Sequence, residues 1–206
     1  MKDFTGFDIK GWIKIFDPLT NEIFVNKQNA IHYENISISM AESLSNQGTG
    51  WINELCLGNG GTNIDPNGII TYLTPNSIGS NSQLYNETYS KNVDGRSVNN
   101  TDPLRNNLEI RHVSGAYYSD IFVTCLLDYD EPDGQEAFDV SNTNGIYVFD
   151  ELGLKSYSST GEPRLLTHVI FHPIQKSLNR LIEIDYTVRI QSLTGYDYLT
   201  MQQEGE

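Results

Sequence analysis

Near the C-terminal end, residues 182–190 alternate strictly between apolar and polar side chains. Ile182, Ile184, Tyr186, Val188 and Ile190 fall on one side; Glu183, Asp185, Thr187 and Arg189 fall on the other. A period of two places successive side chains on opposite faces of a strand. One face of this strand must therefore meet a core and the other water, which is the pattern of an antiparallel sheet. Shorter runs repeat the theme. Residues 9–16 and 22–25, with the turn Asp17-Pro18-Leu19-Thr20-Asn21 between them, predict a β-hairpin. Residues 69–73, 108–113 and 164–171 read as further strands, the last stopped by Pro173. The nearly unbroken apolar run 120–127 predicts a strand buried on both faces.

Two segments echo each other. Trp51-Ile52-Asn53-Glu54-Leu55-Cys56-Leu57-Gly58 and Tyr147-Val148-Phe149-Asp150-Glu151-Leu152-Gly153-Leu154 each lead from an aromatic through an acid or amide and Glu to Leu and Gly. They are expected to be two paired central strands, the second running over 145–154 into a tight turn at Gly153. A single helix is expected from Ser39-Met40-Ala41-Glu42, which fits a Ser-x-x-Glu capping box, ending at Gly48 and Gly50. Residues 29–35 fit strand or helix equally. About ten short strands between turns make the chain mainly β: an antiparallel β-sandwich or irregular barrel with one short helix and a long polar loop. The expected organisation is an attachment segment at 1–48, a core at 49–194 carrying the loop 74–107, and a polar tail at 195–206.

Composition narrows function. The 206 residues carry 27 acidic and 13 basic side chains, a formal net charge of −14. Phosphate backbones select clustered Lys and Arg, so nucleic acid is not an expected partner. No apolar run approaches the ~20 residues that cross a bilayer. No secretory signal is read at residues 1–6, so Cys56 and Cys125 are expected as buried free thiols, and no membrane partner is expected.

Gly58-Asn59-Gly60-Gly61-Thr62 lacks the Lys-Ser/Thr of a phosphate loop, and its glycines are attributed to a turn requiring positive φ. Asp128, Asp130 and Asp133 are weak calcium candidates in an acidic turn that departs from the EF-hand pattern at Gly134 and Pro132. His168 and His172 have a zinc-like spacing but read as strand-edge imidazoles. Glu54 and Glu151 could form a glycosidase pair if their strands are neighbours. A structural glutamate tied to backbone or to Arg111 or Arg164 is the favoured reading. Glu54, Gly58, Glu151 and Gly153 are therefore expected to be structural. No catalytic residue and no cofactor are assigned, and the chain is read as a non-enzyme.

At these residues a family resemblance enters. Residues 52–61, then Leu84-Tyr85-Asn86-Glu87, then 147–154 resemble the N-terminal module of tail-collar fibre proteins of tailed bacteriophages. The chain as a whole looks like virion structural proteins of T4-like phages, with the likeness covering about 50–190. It departs from that pattern in lacking a long fibrous extension, repeats and a receptor-binding tip, and in its extra segment 1–48. The resemblance implies a multi-copy structural component of the tail, baseplate or fibre-attachment region, assembled in the host cytoplasm. Its partners would be other virion proteins and copies of itself. A head-decoration or neck protein and a carbohydrate-binding β-sandwich are the alternatives. Leu84, Tyr85 and Tyr89 in the loop 74–107 are the interface candidates, and that loop is expected to order only on assembly.

Overall fold

The computed structural model describes residues 6–133, 147–159 and 163–193. The tail 195–206, Gly134 and the start of the expected strand at 145–154 lie outside the described residues. Among the described residues, twelve strands and one helix follow one another: β1 (Gly6–Phe16), β2 (Ile23–Gln28), β3 (Ala30–Ile31), α1 (Tyr33–Leu44), β4 (Ile52–Gly58), β5 (Thr62–Ile64), β6 (Ile70–Tyr72), β7 (Glu87–Asn92), β8 (Asn107–His112), β9 (Tyr118–Leu127), β10 (Val148–Ser156), β11 (Leu165–Gln175) and β12 (Ile182–Leu193). One five-stranded sheet has the order β2-β1-β12-β9-β8, a second the order β3-β11-β10-β4-β7, and β5-β6 forms a small hairpin. All pairings are antiparallel. The fold is β-sandwich-like and mainly β, with no closed barrel.

The alternation at 182–190 works as periodicity dictates. Ile182, Ile184, Tyr186 and Val188 are buried and their intervening neighbours are half-exposed. They meet Ile13, Ile15, Val123 and Cys125 of the same sheet, and Leu55, Leu57, Leu152, Leu154 and Val169 of the facing sheet, in one core. The tyrosine hydroxyl at the centre of this apolar layer is hydrogen-bonded by the Asn29 side-chain amide, as a buried phenol requires. The echoing segments do pair: β4 and β10 lie side by side, Leu57 opposite Leu152 and Cys56 opposite Gly153.

Several expectations are corrected. The N-terminal hairpin is part of the sandwich, since β1 pairs along its whole length with β12 and with β2 on its other side. β9 is buried chiefly on one face through Val123, Cys125 and Leu127; on the other, Phe122 lies under the Arg111 guanidinium, 3.6 Å from the ring centroid. β10 does not turn at Gly153 but continues to Ser156. β11 runs through Pro173 to Gln175, because the register shift between Phe149 and Glu151 makes a bulge that accommodates a residue with no N–H.

The helix starts earlier than the capping box suggests. Its N-cap is His32, whose Nδ1 accepts the Asn35 N–H at 3.2 Å while Nε2 donates to the Gly79 carbonyl at 2.9 Å. Ser39 sits buried in mid-helix, and Glu42 pairs with Arg164 at 2.9 Å. Asn35 donates to the Leu165 carbonyl, fastening the helix to β11.

Candidate functional site

The outward face of the second sheet is covered by chain between β4 and β7. The cover is held by two adjacent acids of β10, Asp150 and Glu151, both buried. A carboxylate taken out of water must have its lone pairs met by donors. Glu151 achieves this fully. Its Oε1 accepts the Gly60 N–H at 3.1 Å and the Asn86 N–H at 2.7 Å. Its Oε2 accepts the Tyr85 N–H at 2.9 Å and a hydrogen bond from His168 Nε2 at 3.0 Å. His168 lies on β11 directly across the β10–β11 pairing from Gly153. Its Nδ1 accepts the Asn76 N–H at 2.7 Å, so the network assigns the proton to Nε2 and leaves the ring neutral. Asp150 holds the next step of the loop: Oδ1 accepts the Gly61 N–H at 2.8 Å, and Oδ2 accepts the Thr62 N–H at 2.9 Å and the Thr62 hydroxyl.

The same burial acts on the two acids with opposite results. Desolvation pushes Glu151 upward, but the His168 bond and the three amides outweigh it, and its carboxyl lies below the ordinary glutamate value. For Asp150 desolvation wins over the bonds from Thr62 and Gly61, and the adjacent Glu151 charge adds to it, so its carboxyl is raised.

The glycines serve close approach rather than left-handed backbone. Gly58, Gly60 and Gly61 are not among the positive-φ residues. A Cβ on Gly60 would lie 2.7 Å from the Asn86 nitrogen and from Tyr85 Cβ. One on Gly58 would lie 2.6 Å from Glu151 Oε1. One on Gly153 would lie 2.6 Å from the Leu165 side chain. Beneath the loop, Cys56, Leu84 and Leu165 form a second small apolar cluster.

Glu151 and Gly58 are thus brought together, opposite each other in register, while Glu54 stands across from Lys155. Glu54 accepts from the Asn53 side chain at 3.1 Å, and Lys155 pairs with Glu87 at 2.6 Å. The Glu54 and Glu151 positions are four residues apart along neighbouring strands, roughly 13 Å at ~3.3 Å per residue. Glycosidase carboxylates stand within ~9.5 Å of each other. Glu151 binds neither Arg111 nor Arg164; these pair with Glu109 and Glu42. Its partners are an imidazole and backbone amides.

His168 is buried at the middle of the clasp, not at a strand edge, whereas His172 is exposed and meets the Tyr72 hydroxyl at 3.2 Å. Leu84 is buried and serves as an anchor, which corrects its reading as an interface residue. Tyr85 is exposed, with its hydroxyl donating to the Thr74 carbonyl at 2.7 Å, and Tyr89 packs half-buried against the core. The loop 74–107 is tied to the sandwich of its own chain through Asn76, Tyr85, Asn86 and β7.

In the acidic turn, Asp128 accepts the Tyr129 N–H and pairs with Arg105 at 2.8 Å, which together hold its carboxyl below the usual range. The neighbouring Glu131 pairs with Lys91. Among the described residues, no group of three or more His, Cys, Asp or Glu side chains is placed to hold a metal ion.

The loop-holding roles of Asp150 and His168, and of the amides of 60–62, 76, 85 and 86, are not legible in the sequence analysis. One signal could have exposed them: two adjacent acids in an apolar strand demand several donors, and a glycine-rich loop is a compact source of them. The arrangement can clamp a loop; its carboxylate has no lone pair left and its imidazole no free nitrogen with which to act on a substrate. No protein-family model matches this chain, and neither does any curated protein or solved structure.

Proposed function

We propose that the chain is a non-catalytic structural component of a tailed-phage virion, placed in the tail, baseplate or fibre-attachment region. It works there through contacts with other virion proteins and with copies of itself. The observation that carries this reading is the saturation of Glu151 and His168 by the chain's own donors. Glu151, one member of the carboxylate pair weighed for catalysis, and His168, one member of the pair weighed for zinc, are both spent on holding a surface loop, and function then belongs to the surfaces that the sandwich presents. The likeness of residues 52–61, 84–87 and 147–154 to a tail-collar module agrees with it, because those residues build this clasp. A net charge of −14 suits a protein that must stay dispersed until it meets its partners.

The test is quantitative mass spectrometry with cross-linking on particles purified from cultures of the virus encoding the chain. Threefold or sixfold copy number with cross-links to tail proteins is expected. Hundreds of copies would move it to the head, and absence from the particles would overturn the reading.

A further inference from the structure

Each five-stranded sheet has two edge strands, and three of these four edges are protected in the ways edges usually are. β2 is distorted by a register shift against β1, and its Lys27 reaches across to donate to the Ile170 carbonyl at 2.9 Å. β3 is two residues long. β7 carries Lys91 within it. The fourth edge, β8, is six residues long with no register shift, and its two charged side chains, Glu109 and Arg111, pair with each other. It pairs with β9 without a break from Asn107 opposite Thr124 to His112 opposite Ser119, contains neither Lys nor Pro, and among the described residues is paired with a strand on one side only.

Its side chains carry a specific pattern. Leu108 and Ile110 lie on the inner face, opposite Val123 and Ile121 of β9. Leu108 packs against the core, but Ile110 is 78% exposed. Glu109 and Arg111 share the opposite face, 2.9 Å apart.

We propose that β8 pairs antiparallel with β8 of a second copy of this chain, about a two-fold axis at Ile110, joining two sheets into one. In that register Ile110 meets Ile110, and Glu109 of each copy lies directly across from Arg111 of the other. A two-fold edge pairing is isologous, so each complementary contact is made twice. The charges choose the register. Moving the axis to residue 109 sets Glu109 against Glu109, and moving it to residue 111 sets Arg111 against Arg111. Like charges directly opposite oppose pairing. A slip by one residue would turn Ile110 to the wrong face. The pairing rests on the edge itself and stands apart from the virion reading.

The test is sedimentation of the full chain over a range of concentrations, with circular dichroism to show that each variant is folded. Both altered positions are exposed on one strand face, so the fold should tolerate them. The wild type is expected to dimerise. Glu109→Arg alone and Arg111→Glu alone should each weaken the dimer by about tenfold or more, since each places two like-charged pairs across the axis. An equimolar mixture of the two single variants should form a mixed dimer, and the double exchange E109R/R111E should recover the wild-type affinity. A wild type that stays monomeric up to its solubility limit overturns the proposal. So do single variants that dimerise as the wild type does, and so does a mixture that fails to recover. A monomer would leave the placement in a particle to its own experiment.

Discussion

Glu151 accepts four hydrogen bonds from three separate places in the chain: residue 60, residues 85 and 86, and residue 168. Glutamine in its place has nearly the same shape but exchanges one acceptor oxygen for an NH2 group. That group would face N–H donors whichever way the amide is turned, leaving at least one buried pair opposed. Removing one partner of a buried charged network costs about 3 kcal/mol. Glu151→Gln is therefore expected to lower unfolding free energy by about 3 kcal/mol at pH 7 in urea titrations. Glu109→Gln on the exposed strand should stay within about 0.5 kcal/mol. The pH dependence has a definite sign. The folded-state carboxyl of Glu151 lies below its unfolded value, so its stabilisation is complete above about pH 4.3, the unfolded value, and is lost as pH falls through the folded one. The gap between wild type and Glu151→Gln should close as pH drops below about 4. A gap that is constant with pH would mean that packing, not the carboxylate charge, holds the loop. Asp150, whose carboxyl is raised by burial and by the adjacent Glu151 charge, binds its proton more readily when folded and offsets part of this loss, less so in the variant, where that charge is gone.

At the scale of elements, the periodic ones were legible and the clasp was not. The alternation of β12 needs only a local pattern of side chains, and the pairing of β4 with β10 follows from two similar apolar runs seeking a common layer. α1 was misplaced because its true cap uses an imidazole nitrogen of His32, while Ser39 and Glu42 imitate a cap three residues apart in mid-helix. The clasp stayed hidden because most of its donors are backbone amides, which have no side-chain signature. They come from 65 to 91 positions away along the chain. This predicts how the covering segment behaves. Limited proteolysis of the isolated wild type should spare residues 84–92, where amides at 85 and 86 and the β7–β4 pairing hold the backbone. In Glu151→Gln the same segment should be cut at least about tenfold faster, since cleavage follows the population of the opened form. Rapid cutting in the wild type would show that the clasp does not hold in the free chain.

Across the whole molecule, the two layers on either side of the second sheet each contain one free cysteine. Cys125 lies in the core between the sheets, and Cys56 lies under the covering loop beside Leu84 and Leu165, its thiol 3.2 Å from the Gly153 carbonyl. Both are fully buried, and burial pushes both thiols up, that of Cys125 to about 12. Neither can offer a thiolate to a reagent while covered. Exposing Cys125 requires the sheets to part, which is global unfolding. Exposing Cys56 requires only that the loop lift from Asp150, Glu151 and His168, a smaller opening. An aromatic disulfide reagent should therefore label Cys56 before Cys125 in the native wild type, with sites read by peptide mass. Glu151→Gln should speed Cys56 labelling beyond the rise at Cys125, because the substitution favours the local opening as well as the global one. Equal rates at the two thiols in both proteins would mean that loop and sandwich open together, as one cooperative unit.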